Sequence, residues 1–150
     1  CVEERIVEHS LAIDYDEWAV DKMFCRLMER KLPITGGVVD ITAQRRYDCN
    51  AVSRMKNEAV VAMALTHHLI LSQGLSIEKT LDIICAYGEK YVLVEFMPLG
   101  LYSGSQVVSK KRLPHSYTLG NFRKAFQERC VVREELEVEK NRILFVGELM

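Results

Sequence analysis

The sequence predicts an α/β protein whose mostly parallel, doubly wound sheet carries helices on both faces. Two observations support this fold class. Short apolar runs, several of which close on an acidic residue, alternate with segments that have the 3.6-residue period of amphipathic helices. Runs that are apolar throughout are typical of strands buried on both faces of a parallel sheet. Strands that alternate with helices are typical of chains that wind helices onto both faces of such a sheet.

Four apolar runs are the predicted parallel strands: residues 10–14, 36–41, 58–65 and 91–97. Two more strands follow near the end of the chain, at about residues 131–138 and 143–149. The turn residues Lys140 and Asn141 separate them, which predicts a hairpin and therefore an antiparallel strand at the end of the sheet.

Three polar residues, Asp16, Ser76 and Thr118, stand where helices are expected to begin. Each precedes an apolar stripe that we expect to face a core. The stripes are Val20, Met23, Phe24, Leu27 and Met28 in the first helix, Ile77, Leu81, Ile84 and Cys85 in the second, and Leu119, Phe122 and Phe126 in the third. Pro33 stops the first helix, and Gly88 is expected near the end of the second. Residues 42–57 and 99–117 have no clear period and are predicted to be loops, the first with room for one or two helical turns.

The composition predicts one soluble domain over residues 1–150, with 49% hydrophobic and 27% charged residues. The 20 basic and 21 acidic residues nearly cancel, which argues against a nucleic-acid or anionic-lipid partner. The only basic cluster, at residues 110–112, is expected to be a solvated loop. No signal peptide or membrane-spanning apolar run is present. Five cysteines without a CxxC motif indicate neither a zinc nor a redox site, and favour a reducing, cytoplasmic compartment.

Five segments carry a resemblance to a known family: AIDYDEWAVDKMF, EAVVAMALTHHLIL, KYVLVEFMPLG, SYTLGNFRKAF and NRILFVGEL. Taken in this order, they resemble class I S-adenosylmethionine-dependent methyltransferases. AIDYDEWAVDKMF (residues 12–24) resembles that family's second strand and following helix. EAVVAMALTHHLIL (58–71) and KYVLVEFMPLG (90–100) are similar to the fourth and fifth strands of a bacterial subgroup that carries HHL and EFxP there. SYTLGNFRKAF (116–126) and NRILFVGEL (141–149) resemble its last helix and strand. The resemblance covers nearly the whole chain from Ser10 and implies a Rossmann-like sheet with a C-terminal antiparallel strand.

The sequence departs from the family at two points. The family begins with a strand and a D-x-G-x-G loop, but nothing before Ser10 matches them, and residues 1–9 look like the end of the helix that follows that loop. Glu58 also stands where the family has Asp. We therefore expect an N-terminally incomplete domain with an open central strand position. Either a missing N-terminal segment or a second copy of the chain would complete the sheet, and this chain alone would bind the cofactor weakly or not at all.

The resemblance implies S-adenosylmethionine as the cofactor. Asp14, at the end of the first predicted strand, would accept hydrogen bonds from the ribose hydroxyls; the alternative is a cap for the following helix. Asp40 would meet the adenine amino group, or it is an acid in a turn. Ile41 would cover an adenine face, or simply pack in the protein. Ligands of open α/β sheets bind at the carboxyl ends of the strands, where these residues lie.

Met63, Ala64 and Leu65 are expected at the end of the third predicted strand. The resemblance implies that small and apolar residues there let the sulfonium side of the cofactor approach the backbone. Taken as isolated residues, they are better explained as core, and only the motif favours the cofactor role.

His67, His68 and Glu95 are the candidate catalytic residues. An imidazole near the strand ends could act as general base toward an acceptor N–H or O–H, and because the two histidines are adjacent, we expect at most one to point into the cleft. The alternative is that one caps a helix and the other is bonded internally. Glu95 would bind substrate or pair with one of the histidines. No metal ligand set is present. We expect Asp14, Asp40, His67 and Glu95 to share one edge of the sheet.

The predicted function is methyl transfer from S-adenosylmethionine to an unidentified acceptor. A non-catalytic methyltransferase-like module that serves as an assembly surface is the alternative. Another nucleotide-binding α/β domain is less well supported, because no phosphate-binding glycine motif is present.

Overall fold

The structure, a computed structural model, describes residues 7–43, 51–100 and 113–150, together with the backbone of residues 102–103 and 106–107. The fold is α/β with parallel and antiparallel strands, as the sequence predicts. The chain divides into two compact units, an N-terminal unit (Cys1–Ala51) and a C-terminal unit (Val52–Met150). The expectation of a single domain stays a prediction. The basic cluster at residues 110–112 lies outside the described residues.

The N-terminal unit consists of strand β1 (Ser10–Asp14), helix α1 (Glu17–Arg30) and strand β2 (Ile34–Val38). The two strands pair in parallel over their whole length. The Asp16 carboxylate accepts hydrogen bonds from two backbone N–H groups of the first helical turn, so Asp16 is the predicted N-cap. The helix ends at Lys31 in the left-handed conformation, with φ of 52°.

Two predictions for this unit are wrong. The second strand was expected at residues 36–41 but runs over Ile34–Val38, because its ladder with β1 ends where β1 ends. The apolar stripe of α1 was expected to face a core, yet no residue of this helix is buried. The side chains of Phe24 and Met28 are 55% and 64% exposed.

The C-terminal unit is built on a four-stranded mixed sheet in the order β3-β4-β8-β7. Its strands are β3 (Asn57–Ala62), β4 (Gly88–Phe96), β7 (Cys130–Glu139) and β8 (Arg142–Leu149). The β3–β4 pair is parallel, and β8 is antiparallel to both β4 and β7. The parallel pairing and the antiparallel C-terminal strand are therefore confirmed.

Four helices complete the description: α2 (Ala51–Met55), a π-helix (His68–Ser72), α3 (Ile77–Cys85) and α4 (Leu119–Gln127). Ser76 and Thr118 cap α3 and α4 as predicted, each by accepting a backbone N–H three residues on. The expected loop 42–57 contains α2, although residues 44–50 lie outside the described part. The expected loop 99–117 contains a small hairpin of β5 (Tyr102–Ser103) and β6 (Gln106–Val107).

The ends of β3 and β4 also differ from expectation. β3 was predicted to reach residue 65 but ends at Ala62, and β4 was predicted to begin at residue 91 but begins at Gly88. Gly88 therefore opens a strand rather than closing a helix. A Cβ at Gly88 would lie 2.8 Å from a Leu149 methyl carbon and 3.1 Å from the Tyr91 carbonyl oxygen, so the sheet packs closely around this glycine.

The core of the C-terminal unit lies where α3 and α4 cover the sheet. Four phenylalanine side chains in it have no exposed surface, and their rings contact one another in a chain with centroid distances of 4.3–5.4 Å. These are Phe96, Phe122, Phe126 and Phe145. Gly147 lets the Phe126 ring lie against the strand, because a Cβ there would be 2.7 Å from that ring. None of the helices in the described ranges is long and apolar enough to cross a lipid bilayer.

Candidate functional site

An ion pair between a buried carboxylate and a half-buried arginine lies at the carboxyl end of β4. Glu95 is 1% exposed, and its Oε2 accepts a hydrogen bond of 3.0 Å from Nη1 of Arg142, the first residue of β8. Arg142 also lies 3.5 Å from a carboxylate oxygen of the exposed Glu139. A carboxylate buried to this extent needs such a cation, because burial without one would strongly disfavour its charged form.

The expectation that Glu95 pairs with His67 or His68 is wrong, since its partner is Arg142. The sequence held one signal for this: a charged residue inside an apolar strand requires a partner. It did not say which of 20 basic residues supplies it. Arg142 is 47 residues away, and only the antiparallel pairing of β4 with β8 brings it to Glu95.

The loop after β3 lies against the same strand end. The Thr66 hydroxyl, fully buried, donates a 2.7 Å hydrogen bond to the backbone carbonyl of Glu95. His67 follows and is 3% exposed, whereas His68 is exposed. The two imidazole rings lie 4.1 Å apart between centroids. Only one of the adjacent histidines is therefore turned inward, in line with the sequence expectation.

Burial first, and then the neighbouring charges of His68 and Arg142, together lower the pKa of His67 from its ordinary 6.5 to about 4. The ring is therefore neutral near pH 7, with one nitrogen able to accept a hydrogen bond. A base with this pKa is a poor proton acceptor at that pH. Hydrogen bonding to a ligand suits His67 better than general-base catalysis, which stays a prediction.

Two buried polar atoms near the end of β4, one on His67 and one on Glu95, have no hydrogen-bond partner within the described structure. Among the described residues, three buried side-chain atoms lack one: Nδ1 of His67, Oε1 of Glu95 and Oγ1 of Thr80. A buried donor or acceptor left unpaired costs about 1–3 kcal/mol, so unpaired atoms are rare in folded proteins. We call Thr66, His67, Glu95 and Arg142 the polar cluster.

The backbone between β3 and the polar cluster is unusual. Ala64 has φ of 53°, in the left-handed region that non-glycine residues rarely adopt. A π-helix begins at His68, and both features are frequent at functional sites. Met63, Ala64 and Leu65 therefore follow β3 instead of ending it, which corrects the expected strand boundary. Met63 is 47% exposed, so it is not core.

The segment after β4 is fixed by two side chains. The Asn141 side chain accepts a 2.6 Å hydrogen bond from the backbone N–H of Leu99 and donates one of 3.0 Å to the carbonyl of Gly100. The Tyr117 hydroxyl donates to the carbonyl of Met97 at 3.0 Å. The backbone next to Glu95 is thus held in place from two other parts of the unit.

The two candidate acids of the N-terminal unit, Asp14 and Asp40, lie close to each other. Asp14 ends β1, and its carbonyl accepts a 2.8 Å hydrogen bond from the backbone N–H of Val39, the residue before Asp40. Both side chains are exposed. Asp14 Oδ1 accepts the backbone N–H of Asp16 at 3.0 Å, and Asp16, not Asp14, is the helix cap. The ligand roles of Asp14, Asp40 and the half-buried Ile41 stay predictions.

Asp40 is held in a turn by Thr42. Its Oδ1 accepts the Thr42 hydroxyl at 2.6 Å and the Thr42 backbone N–H at 2.8 Å. These bonds, the side-chain one first, lower the pKa of Asp40 below its ordinary value because they stabilise the carboxylate.

The structure thus forms two local groups of candidate residues. One consists of Asp14 and Asp40 in the N-terminal unit, and the other is the polar cluster of the C-terminal unit. That all of them share one edge of a sheet stays a prediction. In the described ranges, no three His, Cys, Asp or Glu side chains come together as a metal-binding group.

No family model matches the chain, and no curated protein matches it. Its structure is similar to that of the magnesium protoporphyrin IX methyltransferase ChlM from Synechocystis PCC 6803 with bound SAM. The TM-score is 0.62 at 11% identity, over 93% of this chain and 59% of that one. The structure of ChlM with bound SAH gives the same TM-score over 63% of its length. The chain thus spans about three fifths of the length of these two structures.

Two other solved structures are similar over most of both chains. The PH0226 protein from Pyrococcus horikoshii OT3 gives a TM-score of 0.64 at 9% identity, covering 95% of this chain and 74% of that one. The methyltransferase domain of the bacterial CtHen1-C gives 0.57 at 14% identity, covering 95% and 77%. The chain therefore has a methyltransferase fold, which is the fold class that the sequence predicts.

Proposed function

We propose that this chain binds S-adenosylmethionine, weakly when it is on its own, and transfers the methyl group of the cofactor to an acceptor. The observation that carries the proposal is the similarity of its fold to that of ChlM, which was solved with SAM and with SAH bound. The resemblance of residues 58–71 and 90–100 to a bacterial methyltransferase subgroup adds to it.

The residues of the N-terminal unit suit such a cofactor. Asp14 and Asp40 place two exposed carboxylates near the ends of neighbouring parallel strands. Carboxylate oxygens are acceptors only, and each can take more than one hydrogen bond, which fits a ribose diol and an adenine amino group. Both acids keep acceptor capacity beyond their turn contacts. Ile41 is half-buried beside Asp40 and offers an apolar surface.

The loop after β3 has features of its own that suit a ligand. The left-handed backbone at Ala64 and the exposed side chain of Met63 leave this loop accessible. The cofactor, when bound, supplies a methyl group on a positively charged sulfur that is a good leaving group. The chain itself then has to orient the acceptor, and we assign this to His67, His68 and Glu95.

The direct test is an NMR titration of the ¹⁵N-labelled chain with S-adenosylmethionine, which detects weak binding and needs no acceptor. Amide signals of Asp14 and Ile41 should shift in a saturable way. Asp14→Asn should weaken binding roughly tenfold, because it keeps an acceptor for the Asp16 N–H but loses the charge and one acceptor oxygen.

Asp21→Asn is the matched control, since Asp21 is an exposed acid on α1 that we assign no ligand role. This variant should bind like the wild type. Shifts that are absent at saturating cofactor, or that ignore Asp14→Asn, would contradict the proposal.

A non-catalytic module is the second candidate, and one observation favours it. Helix α1 exposes Trp18, Phe24 and Met28, at 76%, 55% and 64%. Apolar side chains grouped on one helix are typical of surfaces that contact another protein. Cofactor binding without methyl transfer to any acceptor, together with a partner that protects these side chains, would favour the module.

A further inference from the structure

The polar cluster combines several features that each mark a functional site. It holds two buried side-chain atoms without a partner, one on His67 and one on Glu95. It follows a strained residue, Ala64, and borders the start of a π-helix. One such feature has little meaning alone, but the occurrence of all of them at the ends of the paired strands β3 and β4 is difficult to explain by packing.

We infer that Oε1 of Glu95 and Nδ1 of His67 are hydrogen-bonding positions for the methyl acceptor, and that Oε1 takes an N–H or O–H group of it, so that the acceptor is an amide, amine or hydroxyl and not a carboxylate. This inference rests on the proposed function. It adds the chemical class of the acceptor and the two atoms that recognise it.

The arrangement of Glu95 fixes the polarity of the site. Arg142 occupies Oε2, so the carboxylate is held in one orientation with Oε1 left over. A carboxylate oxygen in this ion pair can only accept a hydrogen bond. Whatever completes it must therefore bring a donor. The bond would be charge-assisted, and such bonds are stronger than bonds between neutral groups.

His67 contributes a second hydrogen-bonding atom, which can either accept or donate. The ring is neutral near pH 7, because burial and the nearby charges of His68 and Arg142 keep its pKa at about 4. Nothing in the described structure bonds to Nδ1 and so fixes which nitrogen carries the proton. Nδ1 can accept from a second N–H of the ligand, or donate to a ligand oxygen.

The charges around the cluster disfavour an anionic acceptor. Two carboxylates, Glu95 and Glu139, lie on the single guanidinium of Arg142. The guanidinium is therefore already occupied by carboxylates and is not free for an anionic ligand. A carboxylate or phosphate ligand would meet like charge at Oε1 and would leave that oxygen without a donor.

His68 lies beside the His67 ring and is exposed, so it can move without disturbing the core. Both unpaired atoms lie beneath the protein surface. The exposed ring of His68 lies against the buried ring of His67, 4.1 Å away between centroids. Rotation of an exposed side chain is fast, so this movement is no barrier to binding.

Three small probes of nearly the same shape separate the possibilities: acetamide, acetone and acetate. Acetamide is neutral and brings an N–H₂ group, acetone is neutral without a donor, and acetate is charged without a donor.

The experiment is an NMR titration of the wild-type chain in the absence of S-adenosylmethionine, followed at the ring nitrogens of His67. Acetamide should bind about tenfold more tightly than acetone, the value of one good hydrogen bond. Acetate should not bind.

The variant Glu95→Gln tests the atom itself. Its amide oxygen can keep the bond to Arg142, which places an N–H₂ donor where Oε1 was. The preference for acetamide over acetone should then disappear. Glu139→Gln is the matched control, because it removes the other carboxylate beside Arg142 and leaves Oε1 in place. It should keep the preference.

Equal binding of acetamide and acetone to the wild type, or no binding of acetamide, would overturn the inference. The second result is the one expected if a buried water molecule simply bridges the two atoms. This comparison uses the wild-type chain, so it stands even if Glu95→Gln does not fold. Because no cofactor is present, a failure here with a positive cofactor titration rejects only the acceptor class. A positive probe titration together with a failed cofactor titration rejects only the methyl transfer.

Discussion

The two units of this chain are stabilised in different ways. In the described structure, every buried residue belongs to the C-terminal unit, and residues 7–43 contain none. The C-terminal unit has a core of aromatic and aliphatic side chains under two helices. The N-terminal unit depends on local interactions, namely one parallel ladder and the two capped ends of α1.

This difference shows that a sequence can form regular secondary structure without also forming a buried core. The residues of α1 have the period of a buried face, and the helix forms with the predicted cap. A groove bounded by α1 and β2 nevertheless remains open, with Trp18, Phe24 and Val38 among its lining residues. Local signals are sufficient for the helix, while burial depends on what else is present to cover it.

The largest expected effect comes from one aromatic truncation in each unit. Phe126→Ala should lower the free energy of unfolding of the C-terminal unit by about 3–5 kcal/mol, because it opens a cavity among fully buried rings. Phe24→Ala should change the stability of the N-terminal unit by less than about 1 kcal/mol, since Phe24 is largely exposed and alanine favours helix. Urea unfolding followed by far-UV circular dichroism measures both.

Trp18, the only tryptophan of the chain, lies in the N-terminal unit. Its fluorescence can therefore report on that unit while circular dichroism reports on all helices and strands. A Phe24→Ala variant as destabilised as Phe126→Ala would show that the stripe of α1 is covered in solution, and the contrast between the units would fail.

The second prediction concerns pH and only the C-terminal unit. The pKa of His67 is lowered to about 4 in the folded chain, against about 6.5 when unfolded. The unfolded chain therefore binds the extra proton first as pH falls. The stability from a neutral His67 should be complete above pH 6.5 and lost progressively toward pH 4. The loss amounts to about 3 kcal/mol.

Urea midpoints measured from pH 7.5 to 4 test this, with His67→Leu as the variant that cannot titrate. That variant should show a clearly weaker loss of stability over the same interval. His115→Gln, at an exposed histidine, is the control and should follow the wild type. Parallel curves for all three proteins would mean that His67 is protonated without cost in the folded state.

The smallest expected effect sharpens the view of the loop after β3. Ala64→Gly should raise stability by about 0.5–1 kcal/mol. The left-handed conformation costs a non-glycine residue about 1–2 kcal/mol, and the greater freedom of glycine in the unfolded chain offsets part of the gain. Thermal unfolding should show a small increase in Tm. Ala62→Gly, two residues earlier in β3, should instead destabilise.

The sequence predicted the parts of the fold that depend on neighbouring residues. The caps Asp16, Ser76 and Thr118 and the turn at Lys140 and Asn141 are all confirmed, because each bonds within a few positions. It failed at strand ends. Where β2 stops depends on the length of β1, and where β3 stops depends on the conformation of Ala64.

The candidate site divides in the same way. His67 and Glu95 were identified because polar residues stand out beside apolar runs. Arg142 was missed, since an arginine in a turn is ordinary until the sheet pairs it with a buried acid. The unpaired atoms could not be inferred from the sequence at all, because they depend on distances between residues far apart in the chain.

The contacts of Asn141 have a consequence for how this protein tolerates change. Its side-chain amide accepts from Leu99 and donates to Gly100, as the backbone of a neighbouring strand would. One residue thus adds a further rung to the sheet beyond the end of β4. The position of that strand end is thus set in part by a residue of the turn between β7 and β8. We therefore expect substitutions of Asn141 to be tolerated poorly, because the residues beside Glu95 would lose one of their supports.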